Sequence, residues 1–371
     1  MVPGGLRHLV LVGLGMAHVQ VLREFAGRRS MSLKITVVSP SVHWVHLDQV
    51  PGFVAGTSEA GQCTVSLEPL LQRCGATLVK AQIAEFDAAT RSLTLSNGET
   101  LQGDLISFNT EASLDRTRMA TDMPGALQHA LNLRPLEAFC TLWPQVAQLA
   151  TTRPLNVAVV GEGMIAAELA LAIAYGLSHN PECQPCRVSL VTGGETPGAE
   201  CPATVQQRIT QALKRQHITV LRDRCTSMNG KEVQLASGAR LVCDAPVLAL
   251  GGHPPAWLAG SGLALAADGQ PELSDRMHST SHPRVYVTRD PRGHAALRTG
   301  KTLAFNLRAT IDGTTARPLA APLFTLEGYF CGGLQAIAAL HTPWRDFSAS
   351  GGWVWPWKQK ADTARLKAAT E

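Results

Sequence analysis

The 371-residue chain is short of aromatic residues (5%) and of charge (17%), and no apolar run approaches the roughly 20 residues that a membrane span needs. With 45% of its residues apolar, a chain of this length can still bury the cores of two or three domains, which excludes a disordered tail or linker. Its 33 basic and 29 acidic residues leave a formal charge of +4 with no dense basic block and no basic stripe among aromatics. Nucleic acid is therefore not expected as a partner. The nine cysteines are odd in number and scattered, unlike the dense pairing of a small secreted domain, so a reducing, cytoplasmic setting is expected. Arg7 ahead of the apolar run 9–12 could open a secretory leader. That run instead ends in Gly13-Leu14-Gly15 without a small-residue cleavage site, and reads as a strand entering a helix.

What is present is organised around glycine. The run 8–12 is followed by Gly13-Leu14-Gly15-Met16-Ala17-His18 and a helical pattern through Val19, Leu22 and Phe25. In such a turn the first glycine permits the sharp reversal. The second lets a pyrophosphate approach the backbone, where helix N-terminal amides favour negative charge. His18 stands at the third glycine position. The next β-type run, 33–40, ends in Ser39-Pro40, where an acid would usually hold a ribose.

The arrangement recurs 148 residues later, from Gly13 to Gly161. The run 155–160 leads into Gly161-Glu162-Gly163-Met164-Ile165-Ala166-Ala167-Glu168, a helix over 169–177, and a strand over 187–191 ending in Thr192-Gly193-Gly194. Ala166 is an accepted third position, so this turn matches the fingerprint better than the first. No acidic or obvious basic residue marks its ribose, which leaves NADH and NADPH undivided. Two hairpin patterns, 92–99 and 232–239, follow their own turns at similar distance and precede apolar strands at 103–108 and 242–250. The chain is expected to be an α/β protein with two Rossmann-like dinucleotide-binding domains, the second inserted in the first, each with a small β-meander. Boundaries are placed at 1–115 and 256–325 for the first domain, 150–255 for the second, and 326–371 for a C-terminal segment.

These residues resemble the two-dinucleotide-domain flavoproteins of the pyridine nucleotide-disulfide oxidoreductase superfamily. The branch is that of type II NADH dehydrogenases, sulfide:quinone oxidoreductases and the NADH-dehydrogenase-like proteins sometimes fused to selenide, water dikinase. The likeness rests on the first turn with its His18, on Val38-Ser39-Pro40, and on Pro51-Gly52-Phe53-Val54-Ala55-Gly56. It also rests on residues 300–308 and on the ending Trp355-Pro356-Trp357-Lys358. It implies FAD contacts at Gly13, Gly15, Met16, Ala17, His18, Ser39, Pro40, Pro51, Gly52, Gln82, Ile83, Thr110 and Asp290. It implies NAD(P)H contacts at Gly161, Gly163, Met164, Ile165, Glu168, Thr192 and Gly251. The family's Gly-Asp pair after a late strand is here Arg289-Asp290, and Glu111 replaces a usual glycine.

The implied activity is an FAD-dependent oxidoreductase passing electrons from NAD(P)H to a quinone or another small acceptor. The altered flavin motifs keep open a fold retained as a non-catalytic binding or regulatory module. Catalytic candidates are His46, Glu168 and Cys331. Glu168 reads either as an orienter of nicotinamide or as a solvated helix residue. His43 and His46 lie on a loop-like 39–52 segment without the spacing of four that a helical metal site requires, so no metal is expected. Cys183-Gln184-Pro185-Cys186 has redox spacing but sits in a loop, and incidental thiols are the default. Trp353, Trp355 and Trp357 beside Lys358 and Lys360 suit either a peripheral membrane contact at the inner face, a dimer contact, or an aromatic plug closing the first domain, with no long amphipathic helix expected after them.

Overall fold

The computed structural model describes residues 7–27, 33–58, 63–110, 116–252, 254–288 and 294–370. The apolar run 8–12 lies in β1 (Arg7–Val12), buried from Leu9 onward, which passes through the glycine turn into α1 (Met16–Ala26). β2 (Leu33–Val38), β3 (Thr77–Val79) and β4 (Leu105–Phe108) follow. After a helical connection come β5 (Leu131–Asn132), β6 (Leu155–Val160), α2 (Gly163–His179), β7 (Cys186–Val191), β8 (Thr219–Leu221) and β9 (Ala245–Leu248). β10 (Val285–Val287) and α3 (His294–Asp312) return to the first domain.

Two parallel sheets result, β10-β4-β1-β2-β3 and β5-β9-β6-β7-β8. Hydrophobic-only strands such as Val157-Ala158-Val159-Val160 need cover on both faces, and parallel sheets flanked by helices supply it. The duplication extends to single hydrogen bonds. Gly13 N–H donates to Val38 O as Gly161 N–H does to Val191 O. Asn109 N–H donates to Val12 O as Ala249 N–H does to Val160 O, and Ser39 N–H to Val79 O as Thr192 N–H to Leu221 O. Asp104 and Asp244 each accept from the backbone of the paired first strand, at His8 and Asn156.

Each hairpin gains a preceding strand. The meanders are Ile83–Asp87, Ser92–Leu95, Thr100–Gln102 and Cys225–Met228, Glu232–Leu235, Arg240–Val242.

Two regions differ from the sequence reading. Residues 39–52 are not a loop: a short strand, His43–Val45, pairs antiparallel with Thr64–Ser66, and Leu47–Gln49 leads into the helix Val50–Val54. That helix lies so close to α2 that a Cβ on Gly176 would stand 2.5 Å from Val54 O. At the other end, the antiparallel strands Thr325–Phe330, Ala336–His341 and Phe347–Gly351 precede a 17-residue helix, Val354–Thr370, where no long helix is expected. Val354, Trp355, Lys358, Asp362, Arg365 and Leu366 form its buried stripe at helical spacing. Trp355 packs edge-on against Phe330 at 5.5 Å, and Trp357 lies over Gly328. Only Trp353 of the three, 72% exposed, faces outward, so the alternating tryptophans do not form one surface.

Candidate functional site

The first turn is built around a close backbone approach. Gly13 has φ +88°, and a Cβ there would stand 2.3 Å from Asn109 O. Thr110 lies beside it, its Cα 3.0 Å from the same point. His18, fully buried, does what a third glycine would not. Its Nδ1 meets Gly13 O at 2.7 Å and its Nε2 meets Ser107 Oγ at 2.8 Å. Because a carbonyl only accepts, Nδ1 carries the proton and Nε2 accepts from the serine hydroxyl. Asn109 Oδ1 accepts from His18 N–H at 3.2 Å, so turn, helix and β4 are tied through one imidazole.

Burial pushes the His18 ring down to about 4, against a weaker opposing contribution from Gly13 O. Its folded pKa lies below the unfolded value, so the stability it contributes is full above pH 6.5 and is lost as pH falls toward 4. Between pH 7 and 4.5 the expected loss from this group is about 2 kcal/mol. Denaturant unfolding at the two pH values should show His18→Gln losing less stability than wild type by roughly that amount; equal losses would contradict the assignment.

The second turn has the same frame with a different occupant. A Cβ on Gly161 would stand 2.2 Å from Ala249 O, and Gly163 has φ +75°. Glu200, from the loop after β7, reaches back to the N-terminus of α2, where its Oε1 accepts from Met164 N–H at 2.6 Å. Glu162 lies against Gly193: a Cβ there would be 2.1 Å from its Oε1. Over the C-terminal ends of β6, β7 and β9 is a cavity of about 420 Å³ lined by Gly161, Glu162, Gly193 and Gly251 together with Arg118 and Arg224. The two arginines come from segments distant in sequence and carry no motif, so the sequence alone does not bring them to this turn. Thr192 Oγ1 bonds Glu195 O and shapes the loop, and Ile165 is half-buried on α2.

Between the domains, the Pro51-Gly52 segment is braced by buried charge. Lys358 Nζ donates to Asp48 O at 3.1 Å and to Asp362 Oδ2 at 2.7 Å, while Arg365 Nη1 bonds Asp48 Oδ2 at 3.1 Å and Asp362 Oδ1 at 2.8 Å. His46 borders this cluster, its Nδ1 accepting from Asp48 N–H, and burial lowers its pKa despite Asp48 and Asp362. His46 is thus a neutral ring with its proton on Nε2.

The remaining candidates fall out unevenly. Glu168 is fully buried rather than solvated, and its Oε1 accepts from Phe330 N–H at 2.7 Å, tying α2 to the C-terminal sheet. Cys331 is buried and its thiol pushed up to about 11, the opposite of what a thiolate nucleophile requires. Cys183 and Cys186 are free thiols, and Cys63 and Cys74 are buried on separate carbonyls, Gln49 O and Leu22 O. Ser39 Oγ is turned to Ser41 O, Pro40 is exposed, Gln82 N–H is held by Ser96 Oγ, and Ile83 opens the first meander. Asp290, with Arg289 and Glu111, lies outside the described residues. Among the described residues no group of three or more His, Cys, Asp or Glu side chains is arranged to hold a metal ion.

The sequence profile described as pyridine nucleotide-disulphide oxidoreductase matches residues 7–299. Among solved structures, the sulfide:quinone oxidoreductase of the hyperthermophilic bacterium Aquifex aeolicus superposes with TM-score 0.78 at 14% identity, covering 98% of this chain and 91% of that one. NDH2 from Plasmodium falciparum in complex with NADH gives 0.76 at 10% identity, covering 98% and 97%. A NAD-dependent persulfide reductase from A. fulgidus gives 0.69 at 14%, covering 90% and 64%. At such identities these likenesses establish the fold.

Proposed function

The chain belongs to the pyridine nucleotide-disulphide oxidoreductase family of FAD- and NAD(P)-dependent oxidoreductases, and from that premise we propose that it passes electrons from NAD(P)H to a quinone or another small acceptor. The observation that carries the reading is the duplicated turn, repeated bond for bond between Gly13 and Gly161. FAD suits the first copy. Side chains at Gly13 would collide with Asn109, so the backbone stays bare, and α1 presents its N-terminus there with Gly15 as cap. Gly13, Gly15, Met16, Ala17 and His18 would hold the pyrophosphate, with Ser39, Pro40, Gln82, Ile83, Thr110 and Asp290 along the rest of the molecule and Pro51-Gly52 beside its ring.

When bound, FAD supplies the two-electron redox chemistry that no side chain can. The second copy, through Gly161, Gly163, Met164, Ile165, Thr192 and Gly251, receives the pyridine nucleotide. Glu168 holds the C-terminal sheet against α2 and so fixes the wall between the two sites. The acceptor is read as a small molecule reached directly, because Cys63, the thiol held on Gln49 O just ahead of Pro51-Gly52, is pushed up to about 12 by burial, the opposite of what a relay thiolate requires. Among the described residues no helix is long and apolar enough to cross a membrane, so a quinone would be met from outside the bilayer, with Trp353 as the exposed aromatic contact.

The test is anaerobic. FAD-loaded protein reduced by NADH or NADPH is mixed with a short-chain quinone, glutathione disulfide, or an inorganic persulfide, and the return of flavin absorbance is followed. Fast recovery with the quinone alone is expected; recovery with the disulfide alone would overturn the acceptor class.

A further inference from the structure

We infer that Glu200 is a built-in competitor of the pyridine nucleotide: its carboxylate occupies the pyrophosphate position at the second turn and must leave before NAD(P)H can bind. The inference rests on the reading of that turn as the nucleotide site.

Three observations place the carboxylate there. Met164 N–H, at the start of α2, donates to Glu200 Oε1 at 2.6 Å, a charge-assisted bond to one of the amides that a phosphate would otherwise use. A Cβ on Gly163 would stand 2.6 Å from that same oxygen, so the space that glycine keeps clear at the turn is filled by Glu200 itself. Cavities lie on both flanks, about 420 Å³ past Glu162 and about 370 Å³ past Met164 and Glu200, the second bordered by Tyr329 and His341. The carboxylate therefore sits at a divide between two spaces, where a dinucleotide's bridging phosphates would run.

The geometry also makes displacement feasible. Glu200 is exposed apart from its docked oxygen, and its loop, running from Gly193 through Gly194 and Gly198, has positive φ at all three glycines. No other anion can share the amides while the carboxylate is docked, since two negative groups would compete for one helix terminus. Glu162, against Gly193 on the adenosine side, adds a second negative charge that an incoming phosphate must pass. Binding thus exchanges the Met164 N–H bond from carboxylate to phosphate, and the cost of undocking Glu200 is subtracted from nucleotide affinity.

The experiment titrates FAD-loaded wild type, Glu200→Gln and Glu200→Ala with NADH, NADPH and ADP-ribose in a calorimeter, with melting temperatures as a check on folding. Glu195→Gln, from the same loop, controls for the change in net charge. Both Glu200 variants are expected to bind at least tenfold tighter than wild type, equivalent to 1.4 kcal/mol, with the Glu195 variant unchanged. ADP-ribose should show the same gain, because the competition is at the phosphates and not at the nicotinamide. Equal binding by wild type and the folded Glu200 variants would overturn the competitor role while leaving the nucleotide site standing. Absence of binding by all of them would overturn both.

Discussion

Replacing Gly13 by alanine is expected to destabilise the protein by roughly 2 to 6 kcal/mol and to abolish FAD retention. Two costs add. At φ +88° an L-residue is strained, and the new Cβ would stand 2.3 Å from Asn109 O and 2.8 Å from its carbonyl carbon. Both are backbone atoms of the strand end that anchors His18, so neither can swing aside. Gly98→Ala separates the two costs, because Gly98 has a similar φ of +84° with nothing within 4 Å of the added carbon. It should lose only about 1 kcal/mol and keep its flavin. Unfolding curves and flavin absorbance after gel filtration check both. A Gly13 variant as stable as the Gly98 variant would show that the close approach is not required.

The second large effect is expected at Asp362. Its carboxylate bridges Lys358 and Arg365, and all three side chains are at most 6% exposed. Asp362→Ala leaves two buried cations sharing Asp48, at an expected cost of 3 to 5 kcal/mol, roughly what is lost when a buried pair is broken from one side. Removing the pair together, as Lys358→Met with Asp362→Leu, keeps the cluster neutral because Asp48 and Arg365 still pair. Much of the stability should return. The loss should also reach the flavin, since Lys358 holds Asp48 O two residues before Val50, which opens the helix carrying Pro51 and Gly52. Denaturation midpoints of the single and double variants decide this; a double variant less stable than Asp362→Ala would contradict it.

The two glycine turns could be read in the sequence because all that defines them is local: an apolar strand, two glycines at fixed spacing, a helix. The hairpins likewise carried Asn97-Gly98 and Ser237-Gly238 in the chain itself. The helix Val354–Thr370 stayed hidden because its buried stripe is filled by Lys358, Asp362 and Arg365, charges that an apolar-periodicity reading assigns to solvent. For the same reason Glu168 could be taken for a surface residue. The 43–54 region was missed because its elements are three to five residues long, too short to show a period. Glu200 was beyond reach: it meets Met164 across 36 residues of chain, and nothing in its own surroundings marks it. Arg118 and Arg224 join one cavity only through the fold. His18 stood out as a departure from the fingerprint, yet its function as a neutral lock between Gly13 O and Ser107 could come only from distances.

The most direct test of the account is an absorption spectrum between about 300 and 600 nm of the protein purified and incubated with FAD, followed by anaerobic addition of NADH and then NADPH. The account predicts flavin bands that survive gel filtration and bleach with one of the two nucleotides, faster in Glu200→Gln than in wild type at limiting nucleotide. A protein that stays colourless after FAD would contradict it and leave the fold serving some purpose other than electron transfer.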